Sequence, residues 1–391
     1  MKRKTLWISI IGILLIGFVC LFCYQHYIRQ KQIEQKKHTG LVSEDFPVQD
    51  IKHQSKNIYE DAYQTEADNQ LQNMKNNNSY TIEDPLVVWN PYGTNTGSFY
   101  YYGVSEQDSY VVCEVTCNNG SVIKHRLKND SDSGVTKTHE YLITGLAPGL
   151  ENHFSLAFYD AGNNLIHTYQ YTVSLKKDKQ IPAITKVEKG NSKSSLTDGL
   201  FAVLGHDKSK AKNIYYYDNN GICRGKTPLN DYRTDRILTI DGKLVYSYSL
   251  TDIAFVNRLG KVEKTLSLGK YELHHDFMYD EKRNELLCLV NDTDKDTIED
   301  VLISVNIETG KIKKLVDFEK MMKSMRKRSV QRKGGKNTYG GTELDWLHLN
   351  SLDMINDKDA VFSSREESVI IKINNIYENP SIDYLIHSGS L

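Results

Sequence analysis

A short unit that recurs along the second half of the chain constrains the fold most strongly. In each copy an apolar, strand-like run leads into a turn that contains Asn and Gly, and a second strand-like run follows. The copies cover residues 213–221, 254–261 and 301–311. Self-similar strand–turn–strand units are typical of β-propellers, in which every blade is a small antiparallel sheet. The pattern therefore predicts an all-β architecture with consecutive blades.

Composition agrees with this fold class and argues against several functions. The chain of 391 residues has 25 Tyr and only 7 Pro, and Asn-Gly or Asp-Gly pairs occur at residues 119–120, 220–221 and 241–242. Such pairs are strong signals for tight β-hairpin turns. The sequence has no clear Gly-rich nucleotide loop and no strand–helix alternation, so we expect no cofactor. The formal net charge of −1 gives no reason to expect a nucleic-acid partner.

The six cysteines do not predict a disulfide framework or a metal site. Cys113 and Cys117 are four positions apart in a strand-like run, which separates them by about 13 Å at ~3.3 Å per residue. That span is too long for a disulfide within one strand. The only C-x-x-C pair, Cys20 with Cys23, lies in an apolar run, and no Cys/His spacing suits zinc.

The first 79 residues predict a membrane anchor followed by a stalk. A basic head, MKRK, precedes an uncharged and mostly apolar run at residues 5–25, which is about the ~20 residues needed to span a bilayer. A cleaved signal peptide is the alternative, but no small-x-small site ends the run. We favour a single-pass anchor over residues 1–27, with the globular part extracellular or periplasmic. Residues 28–79 are polar, with few large apolar side chains, and predict a stalk or linker.

Residues 80–176 predict a separate β-sandwich domain. Short strand-like runs are separated by turn signals at close spacing, as in immunoglobulin-like and fibronectin-like folds. The sequence YLITGLAPGLENHF, at residues 141–154, resembles the corner between strands of fibronectin-type domains. The sequence is compatible with three roles for this domain, namely a scaffold, the contact surface of a homodimer or a lid, and does not distinguish them.

A segment near the end of the chain carries polar chemistry on a predicted hairpin. The sequence DWLHLNSLDMINDKDAVFSSR predicts strands at residues 346–350 and 360–365. Strand side chains alternate between two faces, so Trp346, His348 and Asn350 would share one face. A core position for the tryptophan is favoured over stacking on a ligand ring.

A second hairpin repeats the pattern of the first. Residues 271–290, YELHHDFMYDEKRNELLCLV, run from a histidine-bearing segment through a charged turn into an apolar strand. His275 holds the place in this unit that His348 holds in the other, and Arg365 at the end of the later hairpin can face the same space. Imidazole, guanidinium and the carboxamide of Asn350 are donors that suit a small tetrahedral oxyanion.

The motif DWLHLNS, followed by SSRE and preceded by HHDF, resembles the bacterial arylsulfate sulfotransferase family. The resemblance implies a six-bladed β-propeller behind a small N-terminal β-sandwich, with the propeller incomplete here at residues 186–391. It also implies transfer of a sulfuryl group from an aryl sulfate ester to a phenolic acceptor, through a sulfohistidine and without a nucleotide sulfate donor.

The resemblance also implies roles for four residues. His275, His348 and Arg365 match the catalytic residues that meet the sulfuryl oxygens, and Asn350 matches a substrate-binding residue. Taken one at a time, either histidine is also compatible with a satisfied core position. The shared motif context favours the functional interpretation, in which His274, Asp276 and Asp345 orient the histidines.

One departure from the family leaves the function open between two classes. In the family the nucleophilic histidine lies downstream, in a segment like G-Q-H, and the sequence contains no G-Q-H. His387 lacks that motif and is not assigned. The chain is therefore expected to be a sulfotransferase or an N-terminal fragment of one. The alternative is a non-catalytic cell-surface β-propeller that binds its ligand without turnover.

The predicted anchor gives a test of topology. We expect a protease added outside intact cells to remove the chain beyond about residue 30, because a basic head tends to stay cytoplasmic. Cell-free lysate treated in the same way serves as the control for protease susceptibility. Full protection of the globular part in intact cells would contradict the predicted orientation.

Overall fold

The structure is a computed structural model with 21 strands and three helices among the residues that it describes. It describes residues 24, 27, 48–117, 120–130, 133–175, 177–179, 181, 188, 190, 199–204, 212–231, 234–333 and 343–387. The helices are α1 (Asp61–Asn77), α2 (Phe318–Met321) and α3 (Lys323–Lys333). The first nine strands are β1 (Leu86–Trp89), β2 (Phe99–Cys117), β3 (Val122–Arg126), β4 (Thr136–Ile143), β5 (Glu151–Tyr159), β6 (Leu165–Ser174), β7 (Phe201–Val203), β8 (Asn213–Tyr217) and β9 (Cys223–Pro228). The others are β10 (Ile237–Ile240), β11 (Lys243–Ser247), β12 (Asp252–Val256), β13 (Val262–Ser267), β14 (Tyr271–Asp280), β15 (Glu285–Asp292), β16 (Val301–Asn306), β17 (Ile312–Asp317), β18 (Leu349–Met354), β19 (Ala360–Ser364), β20 (Val369–Asn374) and β21 (Ser381–His387).

The first globular unit is organised around the long strand β2. Its first half pairs with β1 and β4, and its second half pairs with β3 and β5, which in turn pairs with β6. Apolar side chains from both halves, such as Phe99 and Val115, enter one buried cluster with Phe158. The sequence predicted separate strands at residues 98–102 and 110–115. They form one strand because the polar residues between them stay extended, across a shift in register before Ser109.

Helix α1 lies within the segment that the sequence predicted as a stalk. Its residues Ala67 and Leu71 are buried in a cluster with Tyr80, Val88 and Tyr100. This part of the segment therefore packs on the first globular unit, because a narrow stripe of small and apolar residues is enough to seat a helix on a sheet. None of the helices within the described residues is long and apolar enough to cross a membrane. The anchor predicted at residues 1–27 lies outside the described residues, apart from Tyr24 and Tyr27.

The rest of the chain folds into four consecutive antiparallel sheets, so the all-β prediction is confirmed. The sheets are β7–β9, β10–β13, β14–β17 and β18–β21, and the strands of each sheet pair in sequence order. The last two sheets share one hydrophobic cluster, which includes Leu287, Leu302, Leu349 and Ile371. This shared core fixes β14 and β18 next to each other, and both strands border the candidate site.

Helices α2 and α3 fill the connection between β17 and β18. This connection is strongly basic in sequence, and a solvated insertion with methionines packed onto a sheet was expected. Met322 and Met325 are buried in the cluster that also holds Trp346. The expectation is confirmed for the described part of the connection, because these methionines anchor the helices while Lys323, Lys327 and Arg328 are exposed.

The predicted hairpins are found with one correction. Strands β14 and β15 form the earlier hairpin, and β19 corresponds to the second strand of the later one. The strand predicted at residues 346–350 is wrong, since β18 begins only at Leu349. The preceding residues bend, and His348 has a φ of +51°, in the left-handed region. The expectation that Trp346, His348 and Asn350 share one strand face therefore fails, because alternation requires extended backbone.

A buried arginine joins the first unit to the sheets that follow it. The side chain of Arg224 is completely buried, and its Nε donates to Asp218 Oδ2 at 2.7 Å. Its other nitrogens reach across the interface to Ser121 Oγ at 2.7 Å and to the carbonyl of Gly145 at 2.8 Å. Each donor of a buried guanidinium needs such an acceptor, since an unpaired buried charge is strongly destabilising. Specific hydrogen bonds therefore define this interface.

The same interface predicts a sensitive glycine. A Cβ atom at Gly97 would lie 2.0 Å from the backbone oxygen of Arg224, so Gly97→Ala must push two backbones apart. We expect a loss of about 1–3 kcal/mol in the free energy of unfolding, as for other overpacked sites. Chemical denaturation measures it, with Gly199→Ala as the control because its Cβ would meet nothing within 4 Å. Equal stability of the two variants would contradict the close approach.

Candidate functional site

The imidazole of His275 lies at a break in strand β14. Pairing with β15 is regular up to Leu273 and resumes at Phe277, so the residues between them bulge out of the ladder. His275 has a φ of +53°, and its backbone N–H donates to Asp235 Oδ2 at 3.0 Å. A bulge turns a side chain away from its normal direction in the sheet. Here it points the ring toward the neighbouring sheet.

The imidazole of His348 comes from the bend just before β18. Trp346 is fully buried, and its indole N–H donates to Asp300 Oδ2 at 2.9 Å, which anchors the bend. The backbone carbonyl of His348 accepts a hydrogen bond from Arg365 N at 3.0 Å. His275 and His348 thus share a left-handed backbone in corresponding places of two sheets. Strained non-glycine backbone of this kind clusters at functional sites.

The two imidazoles meet, with one carboxylate beside both. The Nε2 atoms of His275 and His348 are 3.0 Å apart. Oε2 of Glu299 lies 2.5 Å from His348 Nδ1 and 3.6 Å from His275 Nε2. Asp345 Oδ2 lies 2.8 Å from the same nitrogen, Nδ1 of His348. His348 is completely buried, whereas part of the His275 side chain is exposed, so a ligand can approach the pair from the side of His275.

The protonation of this cluster follows from its contacts. Burial alone disfavours the charged ring, but hydrogen bonds with Asp345 and Glu299 outweigh it and raise the pKa of His348 to about 9. Burial likewise disfavours a charged Glu299, yet its hydrogen bonds with the two histidines hold its pKa well below the ordinary value. Burial lowers the pKa of the neighbouring His274 to about 3, so that ring is neutral at pH 7. At neutral pH the cluster holds an imidazolium between carboxylates.

The other two predicted residues lie at the edge of the cluster. Arg365 Nη2 is 3.6 Å from Asp345 Oδ2 and 2.8 Å from Glu366 Oε1, and the side chain is partly exposed. Asn350 is exposed, and its Oδ1 accepts a hydrogen bond from Ser363 Oγ. The structure therefore brings Arg365 to the carboxylate that also holds His348. It shows no direct contact of Asn350 with the histidines among the described residues.

Sequence reasoning missed one residue of the cluster and misjudged others. Glu299 lies in the connection between β15 and β16, outside both histidine hairpins and outside any motif. Asp345 was expected only to orient a histidine, and its contact with His348 agrees with that role. Asp276 instead forms an ion pair with Arg236 and accepts from the backbone N–H of Leu352, so it braces β18. The only signal for Glu299 was an acidic residue just before a buried strand.

The same atoms are close enough to surround a cation. Ligand atoms of His274, His275 and Glu299, and of Glu299, Asp345 and His348, lie within 4.8 Å of one another in each set. In the arrangement found, however, both carboxylates contact Nδ1 of His348, and its proton supplies the positive charge that they require. We therefore assign no metal ligand here.

Comparison with known proteins gives one family match. A family model described as Arylsulfotransferase (ASST) matches residues 185–390. No curated protein matches the chain. Similar solved structures include the computationally designed Ika8 protein, 12% identical with 73% of both chains covered and a TM-score of 0.27. The Cps50 (Swd1) β-propeller domain of Myceliophteria thermophila is 10% identical, with 80% of this chain and 88% of that chain covered and a TM-score of 0.31. Similarity at this level establishes no shared function.

The pKa of His348 predicts how stability depends on pH. Because the folded state holds the proton of His348 up to about pH 9 and the ordinary value is 6.5, the stabilisation is complete below about pH 6.5. We expect it to be lost as the pH rises from 6.5 through 9. Chemical denaturation at several pH values measures the slope of the free energy of unfolding against pH.

Two variants isolate the contribution of this one ring. In His348→Gln the slope between pH 6.5 and 9 should become flatter than in the wild type. His153→Gln replaces an exposed histidine that pairs with Glu151 at 3.0 Å, and it should leave the slope unchanged. A wild-type slope that His348→Gln does not alter would contradict the raised pKa.

Proposed function

The chain belongs to the arylsulfotransferase family, and from this premise we propose that it acts in sulfuryl transfer from an aryl sulfate to a phenol. The observation that carries the proposal is the meeting of His275 and His348, whose Nε2 atoms lie 3.0 Å apart within the family-matched segment. Arg365 contacts the same carboxylate as His348. We propose that these three side chains hold the sulfuryl oxygens and that Asn350 adds a hydrogen bond at the edge.

The charge of the cluster supports binding of an anionic ester. Protonated His348 and Arg365 offset the charges of Glu299 and Asp345, and the ester would replace a third carboxylate, Glu366, which lies 2.8 Å from Arg365. A sulfate ester offers several negative oxygens, and charge-assisted donors bind such oxygens about twice as strongly as neutral donors. The proposed binding of the ester therefore relies on the donors at the exposed side of His275 and requires no metal ion.

The proposed transfer step places these donors around the sulfur. A nucleophile forms a bond to sulfur while the bond from sulfur to the phenolic oxygen breaks, and the phenolate leaves with the bonding electrons. Negative charge then grows on the departing oxygen and stays high on the sulfuryl oxygens. Preorganised donors lower the barrier by stabilising that charge. His348, which carries a proton at neutral pH, is the proposed donor to the departing oxygen.

A second candidate function is binding of sulfate esters without transfer. The observation that favours it is that the side chains brought together, His275, His348 and Arg365, are donors suited to hold an anion. We assign no nucleophile, and a sulfohistidine intermediate belongs to the first candidate only. Donors without a nucleophile would retain binding and lose the covalent step, since a nucleophile supplies most of the chemistry in concerted sites.

Architecture and location form part of the proposal. We propose that the four sheets β7–β9, β10–β13, β14–β17 and β18–β21 are blades of a β-propeller behind an N-terminal β-sandwich. Each blade-like sheet pairs its strands in sequence order, which supports the assignment. Attachment to the cell membrane through residues 1–27, with the globular part outside, stays a proposal based on the sequence alone.

The test of function compares binding with turnover of 4-nitrophenyl sulfate. Calorimetry measures the affinity, and release of coloured 4-nitrophenol in the presence of phenol measures transfer. We expect Arg365→Gln to bind the ester about tenfold to a hundredfold more weakly, because it loses a charge-assisted hydrogen bond worth roughly 1.5–3 kcal/mol. Arg283→Gln is the matched control, since Arg283 pairs with Asp280 in the turn after β14, away from the histidines.

The outcomes separate the two candidates. Phenol-dependent release of 4-nitrophenol that falls in Arg365→Gln and not in Arg283→Gln supports sulfuryl transfer. Binding with the same dependence on Arg365 but without release supports the binding function. If the ester neither binds nor reacts, or if both arginine variants behave like the wild type, the proposed site is wrong.

A further inference from the structure

The strongest unassigned feature of the cluster is Glu299, which bridges two sheets. It lies in the connection between β15 and β16, which belong to the same sheet as the strand of His275, yet its Oε2 is 2.5 Å from Nδ1 of His348 in the next sheet. The side chain is 10% exposed. A carboxylate this deeply buried is costly unless a cation and hydrogen bonds compensate it.

The backbone of Glu299 is held on both sides. Its N–H donates to Asn291 Oδ1 at 2.7 Å, and its carbonyl accepts from Leu349 N at 3.0 Å, just after His348. Its φ is +59°, a left-handed conformation that costs on the order of 1 kcal/mol or more for a non-glycine residue. Such a conformation persists only where the surroundings determine it. The position of this carboxylate relative to His348 is therefore fixed by the fold.

Hydrogen-bond capacity then determines the state of His348. Carboxylate oxygens of Asp345 and Glu299 both approach Nδ1 of His348, so that nitrogen carries a hydrogen, which Asp345 Oδ2 accepts at 2.8 Å while Glu299 Oε2 makes an ionic contact. Only one hydrogen fits between the Nε2 atoms of His275 and His348, 3.0 Å apart. If His348 supplies that hydrogen, its ring carries both protons and its positive charge balances the two buried carboxylates. His275 then accepts with the lone pair of Nε2.

From this geometry we propose that Glu299 is a positioning residue that, together with Asp345, holds His348 as an imidazolium whose Nε2–H donates to Nε2 of His275 until an ester oxygen replaces that acceptor. The proposal rests on the proposed function for the identity of the ligand, an aryl sulfate. The cation exists before the ligand arrives, so no proton has to be taken up by His348 on binding. The state persists at mildly alkaline pH because the two carboxylates stabilise the proton.

The other charged groups near the cluster do not account for this state. Arg365 contacts Asp345 and competes with His348 for that carboxylate. His274 is buried and neutral, and Asp276 forms its ion pair with Arg236.

The remaining acids nearby have other partners. Asp300 accepts from Trp346 and pairs with Lys295 at 3.1 Å. Asp235 accepts from the backbone of His275. Glu299 and Asp345 are the acids in direct contact with the His348 ring among the described residues.

The experiment follows the His348 ring directly in the full chain. Histidine labelled with ¹⁵N and ¹³C reports the titration by NMR, and His348→Gln identifies the signal. We expect a midpoint near pH 9 in the wild type. In Glu299→Gln the midpoint should fall by at least about one pH unit, since the amide removes one of two ionic partners. Glu299→Asp keeps the charge and should retain most of the shift, and Glu308→Gln removes an exposed carboxylate at a turn and should change nothing.

Binding of 4-nitrophenyl sulfate provides the second readout. Affinity should stay high up to about pH 9 and decline above it, because the donor loses its proton. In Glu299→Gln the decline should begin about one pH unit lower, which weakens binding about threefold at pH 8.5. If Glu299 only braced the two sheets, Glu299→Gln would lower the affinity equally at all pH values. The pH at which the affinity begins to decline would then stay the same.

The outcomes distinguish failure of the inference from failure of the proposed function. An unchanged NMR midpoint in Glu299→Gln, or a wild-type midpoint below pH 7, overturns the positioning role even if the ester binds. If circular dichroism shows that Glu299→Gln is unfolded, the positioning role is tested by the midpoint of the wild type and by the titration of Glu299→Asp. A midpoint that shifts as expected in a chain that binds no sulfate ester supports the role of Glu299 and overturns the proposed ligand.

Discussion

The arrangement of the site depends on one ionic contact, in which the carboxylates of Glu299 and Asp345 both approach Nδ1 of His348. The two carboxylates come from adjacent sheets, and both lie within hydrogen-bond distance of the same ring nitrogen. Neither acid is tolerable at this depth without the cation, and the cation is not tolerable without the acids. The contact therefore fixes the protonation of His348 and ties the β14–β17 sheet to the β18–β21 sheet at once.

Packing makes the contact possible. Leucines of β15 and β16 and apolar residues of β18 and β20 form one core, in which Met322 and Met325 are buried and against which Met321 packs. This core holds β14 and β18 side by side, so that a bulge in one and a bend before the other bring His275 and His348 together. The left-handed backbone at both histidines is the local cost of that convergence. Rigid sheets with two irregular positions thus position the donors.

The site combines features that suit an anion more than a cation. Its ligand atoms are close enough to surround a metal ion, but the shared proton of His348 already neutralises the carboxylates. Arg365 adds a second positive charge at the exposed edge of the cluster, where it also pairs with Glu366 at 2.8 Å. Imidazole and guanidinium groups are therefore the donors offered to the proposed ligand, a sulfate ester. Family membership and local charge point to the same class of ligand.

The sequence by itself determined the strand-rich character, the hairpin turns and the family, because alternation, turn residues and a contiguous motif are all local properties. His275, His348, Arg365 and the methionine-anchored connection were accessible in this way. It could not give Glu299, whose partner His348 lies 49 positions away (348 − 299) and follows no motif. It also misplaced residues 346–350 in a strand, since the bend is stabilised by the burial of Trp346 and its bond to Asp300. Only the tertiary structure decides such features, because contacts between sheets set both the backbone conformation and the charge of a buried ring.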